Sequence, residues 1–367
     1  MRALFRRHRV LCALFLLDAA VLSLFYLLRG NRALMTAFTE RVTQPLKLAL
    51  GKFFAFFSFS AAEWLYVFAI LAALCFCVYA LDDALRAKHR LRRAVRHGAT
   101  LLCAVLTAYT VFTVLWGANY YAGGFCGKSG IAPREISVDE LTRVTAYFAE
   151  NAAAASKHTT RGENGTLCVD EDALFARAPS VYDAAEQRFP FLTLSDTVPK
   201  RMAFSRAFSA MGFTGFYCPF TGEANLNVDV PQALLGATIA HELSHLRGIA
   251  SEQECNFLAV LACVTSGDAE YAYSGWLFGF LHLSNALYDA DREAWKEIFT
   301  ALDPAIRADL AANNAYWAQF QSPVTDASEA VYEGLLQSYG EERGMQSYGA
   351  VVDLLVVYFE KDAEHLF

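Results

Sequence analysis

Three stretches too apolar for a water-exposed surface constrain this chain more than any other feature. They cover residues 10–28, 64–81 and 98–116, and Asp18 is the one charged residue in them. A helix needs about 20 apolar residues to cross a bilayer, so the pattern predicts three transmembrane helices. A cleavable signal peptide accounts poorly for the first, because Leu27-Leu28-Arg29-Gly30 offers no small-residue cleavage site. The run Phe53-Phe54-Ala55-Phe56-Phe57 is too short to span and is expected to lie in the interface or to extend the second helix. Asp18 has no partner that the sequence names, and a helix contact is the expected role.

Charge divides the chain at the same place. Residues 1–121 hold 15 Lys+Arg against 5 Asp+Glu, whereas residues 122–367 hold 16 against 33. The basic residues flank the apolar runs and form no single exposed patch, which argues against nucleic-acid binding. They do report orientation. Arg2, Arg6, Arg7 and Arg9 precede the first span, and Arg86, Lys88, Arg90, Arg92, Arg93 and Arg96 fill the connection between the second and third. Arg29, Arg32, Arg41, Lys47 and Lys52 are more dilute in the loop between the first two. Dense Lys/Arg clusters stay on the cytoplasmic side. The expected arrangement is a membrane domain over 1–121 with a cytoplasmic N-terminus, and an extracytoplasmic domain over 122–367.

That second part reads as mainly helical with one small sheet. The Gly-rich, aromatic residues 119–133 are expected to form a linker leaving the membrane. Ser137-Val138-Asp139-Glu140 is a capping box that opens a helix towards Ala155. Residues 157–172 read as loop, and a helix is expected from Ser180 to Arg188. Residues 213–217 and 224–228 read as two strands around a turn. Pro231 starts a helix that continues to Leu246, and helices are expected over 251–265, 269–288, 291–301, 304–319, 325–338 and 347–360. Cys12, Cys75, Cys77 and Cys103 fall in apolar spans and Cys126, Cys168, Cys218, Cys255 and Cys263 beyond them, without C-x-x-C spacing. A disulfide among Cys126, Cys168 and Cys218 is open, and no Cys-based zinc site is readable.

The chemistry lies in His241-Glu242-Leu243-Ser244-His245. Histidines four apart share one helix face, so both imidazoles can reach one zinc ion at about 2.0–2.1 Å. Glu242 stands beside the first of them, where a carboxylate can take a proton from water; this is the H-E-x-x-H spacing of zinc metallopeptidases. A surface helix with a stacked His pair is the bland alternative, but Ile239, Ala240, Leu243 and Leu246 make the helix a buried one, and buried His and Glu need partners. For a third ligand two carboxylates compete. Ser251 and Glu254 have capping-box spacing, which gives Glu254 a structural task, so Glu252 is preferred. Gly248 lets the chain reverse between the two helices, and Asn256 falls one turn beyond Glu252, placed to orient a ligand. His282 is a further candidate ligand. Tyr273, His282 and Arg247 are candidates for stabilising an oxyanion.

His241-Glu-Leu-Ser-His245, Arg247-Gly248, Glu252-Gln-Glu-Cys-Asn256-Phe257, Tyr273-Ser274-Gly275 and Ser347-Tyr348-Gly349 together resemble the domain of unknown function 3810 family of bacterial membrane proteins. The resemblance covers nearly the whole chain and implies no established activity. Glu252-x-x-x-Asn256 also resembles the second helix of gluzincin peptidases, in which a Glu ligand is followed four residues later by Asp; here Asn256 holds that place, and the gap from His245 is shorter. In the metzincin pattern a third His would stand where this chain has Ser251.

The expected function is a membrane-anchored zinc metallopeptidase that acts on a peptide or protein substrate. Its ligands would be His241, His245 and Glu252, its general base Glu242, and its setting the lipid bilayer. Two other classes stay open: a zinc-binding sensor with little turnover, and a structural membrane protein whose outer helices bind a partner. Metal content separates the last from the others, and a hydrolysis assay separates the first two.

Overall fold

In the computed structural model, which describes residues 9–195, 197–339 and 348–364, each predicted span lies on one long helix. Arg2, Arg6 and Arg7 of the N-terminal cluster, and Ser347, lie outside the described residues. Helix α1 runs Arg9–Leu28, a shorter α2 runs Gln44–Phe54, and α3 and α4 run Ala61–Arg86 and Arg90–Leu115. Their apolar side chains point outward: Val78 is 70% and Leu27 80% exposed. Backbone polar groups satisfied within a helix, clothed in bare apolar side chains, suit hydrocarbon and not water. The chain is a multi-pass membrane protein, mainly α-helical, with three membrane-spanning helices and a small sheet. Asp18 acquires the partner that the sequence did not name, accepting a bond from Thr107 Oγ1 at 2.6 Å and tying α1 to α4.

Between the first two spans the chain is helical, where a dilute basic loop was expected. Residues Arg32–Phe38 and α2 pack against the rest, with Thr43 Oγ1 donating to Val114 O at 2.7 Å and Gln44 Nε2 to Leu246 O at 2.8 Å. The aromatic run does not extend the second span: α2 ends at Phe54, and α3 starts separately behind a Ser60 cap, which accepts from Glu63 N at 3.1 Å.

Beyond the spans, helix α5 (Val138–Ser156) opens with the expected Ser137–Glu140 capping box. Residues 119–133 are not a linker. They hold a 3-10 turn (Gly117–Tyr121) and a short helix (Phe125–Ser129), and Phe125 is fully buried against Phe189 and Phe257. The loop expected to reach residue 172 yields to a helix at Glu171–Arg177, begun by an Asp170 cap, and the next helix is shorter than expected, Asp183–Arg188. All nine cysteines are free, so the open disulfide among Cys126, Cys168 and Cys218 does not form.

The sheet has three strands in the order β1-β3-β2: Lys200–Arg201 (β1) runs parallel to Glu223–Leu226 (β3), and Gly215–Cys218 (β2) antiparallel to it. Strands β2 and β3 are the expected pair; β1 is too short to show in the sequence. Helices α6 (Leu235–Leu246), α7 (Glu252–Thr265) and α8 (Ala269–Ala290) follow, then Arg292–Ala301, Pro304–Trp317, α9 (Pro323–Ser338) and α10 (Tyr348–Ala363). Helix α7 is buried nearly all round, from Cys255 to Cys263, between its neighbours.

Two carboxylates lock the spans to the sheet reciprocally. Glu223 of β3 accepts from Ala61 N at 3.3 Å and Ala62 N at 2.9 Å, donors that no intrahelical carbonyl reaches at the start of α3. Glu63 of α3 accepts from Ala203 N at 2.7 Å and Phe204 N at 2.9 Å. Hydrogen bonds to a charged group contribute about 1.5–3 kcal/mol each. Glu63→Ala is therefore expected to destabilise the protein by about 3 kcal/mol, read as a lowered thermal midpoint of the detergent-solubilised protein; an unchanged midpoint would show that the lock carries no load.

Candidate metal centre

Helix α6 forms because an apolar face at Leu235, Ile239, Leu243 and Leu246 meets α7, while its other side meets the sheet. Arg247 holds its C-terminal end from behind, donating to Leu243 O at 3.1 Å and Glu186 Oε1 at 2.7 Å and lying 3.7 Å over the Tyr182 ring. Gly248 follows at φ +83°, a left-handed conformation in which a side chain would be strained. The reversal it permits brings α7 back along α6.

That return path assembles the cluster. His241 Nε2 lies 3.1 Å from Glu252 Oε2 and His245 Nε2 3.6 Å from Glu252 Oε1, and the three ligand atoms lie within 4.8 Å of one another. Each imidazole is held by its other nitrogen: His241 Nδ1 is 2.7 Å from Asn256 Oδ1 and His245 Nδ1 is 2.9 Å from the Ile249 carbonyl. A carbonyl oxygen only accepts, so Nδ1 is the donor in each of these bonds and Nε2 is the nitrogen turned towards the carboxylate. Two imidazoles presented through Nε2 and a carboxylate make a donor set that suits zinc, and three ligands would leave a coordination position open. Asn256 therefore orients His241, as expected from its place one turn after Glu252. Losing such an outer partner costs about 10–100-fold in metal affinity, and Asn256→Ala is expected to show that loss in chelator competition; an unchanged affinity would remove Asn256 from the site.

Glu254 points elsewhere. Ser251 makes no side-chain cap bond, and the Glu254 carboxylate instead accepts from Phe125 N at 2.8 Å and Cys126 N at 2.9 Å. The expected capping box is absent because the segment expected to be a linker supplies two buried backbone donors, a stronger claim on a charge than one local N–H.

Glu242 lies beside the cluster, buried, with Oε2 making no hydrogen bond among the described residues. Its other oxygen lies so close to β2 that a Cβ at Gly215 would stand 2.8 Å from it. Burial, with the Glu252 charge adding to it, pushes the Glu242 carboxyl up to about 8, although His241 pulls the other way. Burial acts in the same sense on Glu252, but there the two imidazoles prevail and hold the carboxyl well below its usual range. Burial thus dominates at Glu242 and the imidazoles at Glu252.

Both open onto a cavity of about 460 Å³ lined by His241, His245, Glu252, Glu242, His282 and Tyr332, among others. Of the residues expected to stabilise an oxyanion, His282 lines this cavity, and burial lowers its imidazole to about 4. Tyr273 donates to Asp309 and Arg247 is committed to Glu186, both facing away. Sequence reasoning missed Tyr332, whose hydroxyl donates to Glu252 Oε1 at 2.5 Å from helix α9, 80 residues along the chain. It also missed Lys47 of α2, which donates to the His245 carbonyl at 3.2 Å between the Trp116 and Tyr217 rings and is lowered to about 7 by burial. No local signal marks either residue.

Three bilayer-crossing helices and a largely buried His-His-Glu cluster define a membrane protein with a candidate metal site. The model of a family described as protein of unknown function (DUF3810) matches residues 38–356, and the chain belongs to that family. No curated protein and no solved structure matches it.

Proposed function

We propose that this protein is a membrane-anchored zinc metallopeptidase. His241, His245 and Glu252 hold the ion, and the site lies on the extracytoplasmic side with residues 122–367. One observation carries the reading: both Nε2 atoms converge on Glu252 with their Nδ1 atoms already committed, while a buried carboxylate with an unpartnered oxygen stands beside them. A helix with stacked surface histidines would need none of this.

Zinc, when bound, supplies Lewis-acid activation of water and of the scissile carbonyl. Glu242 takes a proton from the attacking water as the new C–O bond forms, then delivers it to the amine nitrogen as the C–N bond breaks. Tyr332 and His282, which line the same cavity, are the candidate donors to the carbonyl oxygen as its charge develops. Strand β2 lies at the edge of the sheet and contributes Gly215, Phe216 and Tyr217 to the cavity wall, so an extended peptide can add to it through main-chain bonds.

Purified protein is expected to contain one zinc per chain and to cleave a quenched mixed-sequence peptide set. Chelation should abolish cleavage and added zinc restore it. Zinc without cleavage would leave a metal-binding sensor, and neither would leave a structural protein. A reporter fused after residue 90 should register as cytoplasmic and one after residue 367 as external; the reverse pattern would put the site inside the cell.

A further inference from the structure

The cavity is walled in part by the membrane spans. Tyr66 of α3 and Phe112 of α4 line it, as does Trp116 just past the end of α4, together with Phe213 and Trp317 from the other side. Trp116 also packs edge-on against His245, with ring centroids 5.4 Å apart. The same aromatic surface thus runs from the metal cluster down onto the helices that cross the bilayer.

Charges fix the depth. On α3 the last apolar residue before Asp82-Asp83 is Leu81. Twenty residues at 1.5 Å each cover the roughly 30 Å of hydrocarbon and bring its far boundary to about Ala62. On α4, counting from Gly98, just after Arg96 and His97, brings it to about Trp116. Tyr66 and Phe112 then lie about 6 Å inside the hydrocarbon on the side that carries the sheet. Exposed rings mark the same level independently. Phe53, Phe56 (89% exposed) and Phe59 surround the start of α3, and Trp64 meets Phe204 of the chain leaving β1, ring centroids 5.9 Å apart. Aromatic rings gather at the headgroup boundary. The cluster therefore sits at the membrane surface, with its cavity reaching below it.

We infer that the substrate is anchored in the same bilayer: a polypeptide cleaved within a few residues of the point where it leaves the membrane. This rests on the peptidase reading above. A soluble peptide gains nothing from a cavity whose wall continues into hydrocarbon, whereas a tethered one arrives already concentrated in two dimensions. The free edge position of β2 favours a polypeptide over a lipid, because an exposed strand recognises main-chain N–H and C=O groups.

The test presents one quenched mixed-sequence cassette to the full-length zinc-loaded protein in phosphatidylcholine vesicles. The cassette is supplied free, or fused to a single transmembrane helix through a spacer of about 3 or about 20 residues. A 3-residue spacer reaches at most ~11 Å, too short for a site standing well above the bilayer. Cleavage should be fastest with the short spacer, at least tenfold faster than with the free cassette at equal bulk concentration. Cleavage confined to the long spacer, or equal for tethered and free cassettes, would overturn the inference while leaving the peptidase reading intact. A second readout needs no turnover. With photoreactive benzoylphenylalanine in place of Phe112, in a Glu242→Gln background, the short-spacer peptide should crosslink and the free cassette should not. Crosslinking without cleavage by the parent protein would keep a bilayer-anchored polypeptide as what the cavity binds but sink the peptidase reading, and the cleavage step with it; adducts with phosphatidylcholine alone would overturn the inference.

Discussion

Replacing Glu242 by Gln should lower peptide hydrolysis by about 10²–10⁴-fold, the usual contribution of a positioned acid–base group, while zinc content stays at the parent level. The substitution keeps volume and planarity, which matters where Gly215 leaves no spare room. It removes the one thing the site cannot replace: an oxygen that accepts a proton and gives it back. Glu242 makes no ligand contact within the cluster, whose three members are His241, His245 and Glu252. Because burial already penalises the charged form, an amide there should not reduce stability. The expected triad of results is metal retained, thermal midpoint equal or raised, and turnover lost. Parent-like cleavage by the variant would assign the base elsewhere, and loss of zinc would make Glu242 a ligand.

Glu252 and Glu254, two residues apart on α7, should fail in opposite ways. Glu252→Ala removes a carboxylate whose two oxygens face the two imidazoles at 3.1 and 3.6 Å. The loss of affinity should exceed the roughly 10–100-fold that follows from removing an outer partner such as Asn256. Glu254→Ala instead strands the Phe125 and Cys126 N–H groups beneath a buried phenyl ring. Its cost should be about 3 kcal/mol, from two charge-assisted bonds, well above the ~1 kcal/mol of a lost helix cap, with zinc affinity unchanged. Chelator competition and thermal unfolding on the two variants separate these outcomes. If Glu254→Ala loses zinc while Glu252→Ala keeps it, the ligand set proposed here is wrong.

The capping-box reading of Ser251 and Glu254 shows where local pattern misleads. The spacing was right, but a carboxylate answers to the strongest donors within reach, and those came from residue 125, which no local window contains. Residues 119–133 misled for a related reason. Gly-rich, aromatic composition reads as a linker, yet Phe125 fills a core position supplied by Phe189 and Phe257. The helical segment at residues 32–54 was hidden in the same way: its inward side, at Lys47 and Gly51, has no apolar stripe to announce burial.

What the sequence by itself determined is whatever one helix or one turn decides. Three nearly uncharged apolar runs of about 20 residues within the first 120 point to a bilayer. Histidines at i and i+4 share a face by helix geometry alone, whereas the preference for Glu252 over Glu254 rested on a capping box that does not form. Tertiary structure alone decided which groups of distant origin complete the site: Tyr332 from α9, Lys47 from α2, the backbone donors that claim Glu254, and the span residues Tyr66 and Phe112 that line the cavity. None of these carries a local signature, because a contact across tens or hundreds of residues is chosen by packing and by the need of each buried polar group for a partner, and neither is written in the spacing of neighbours.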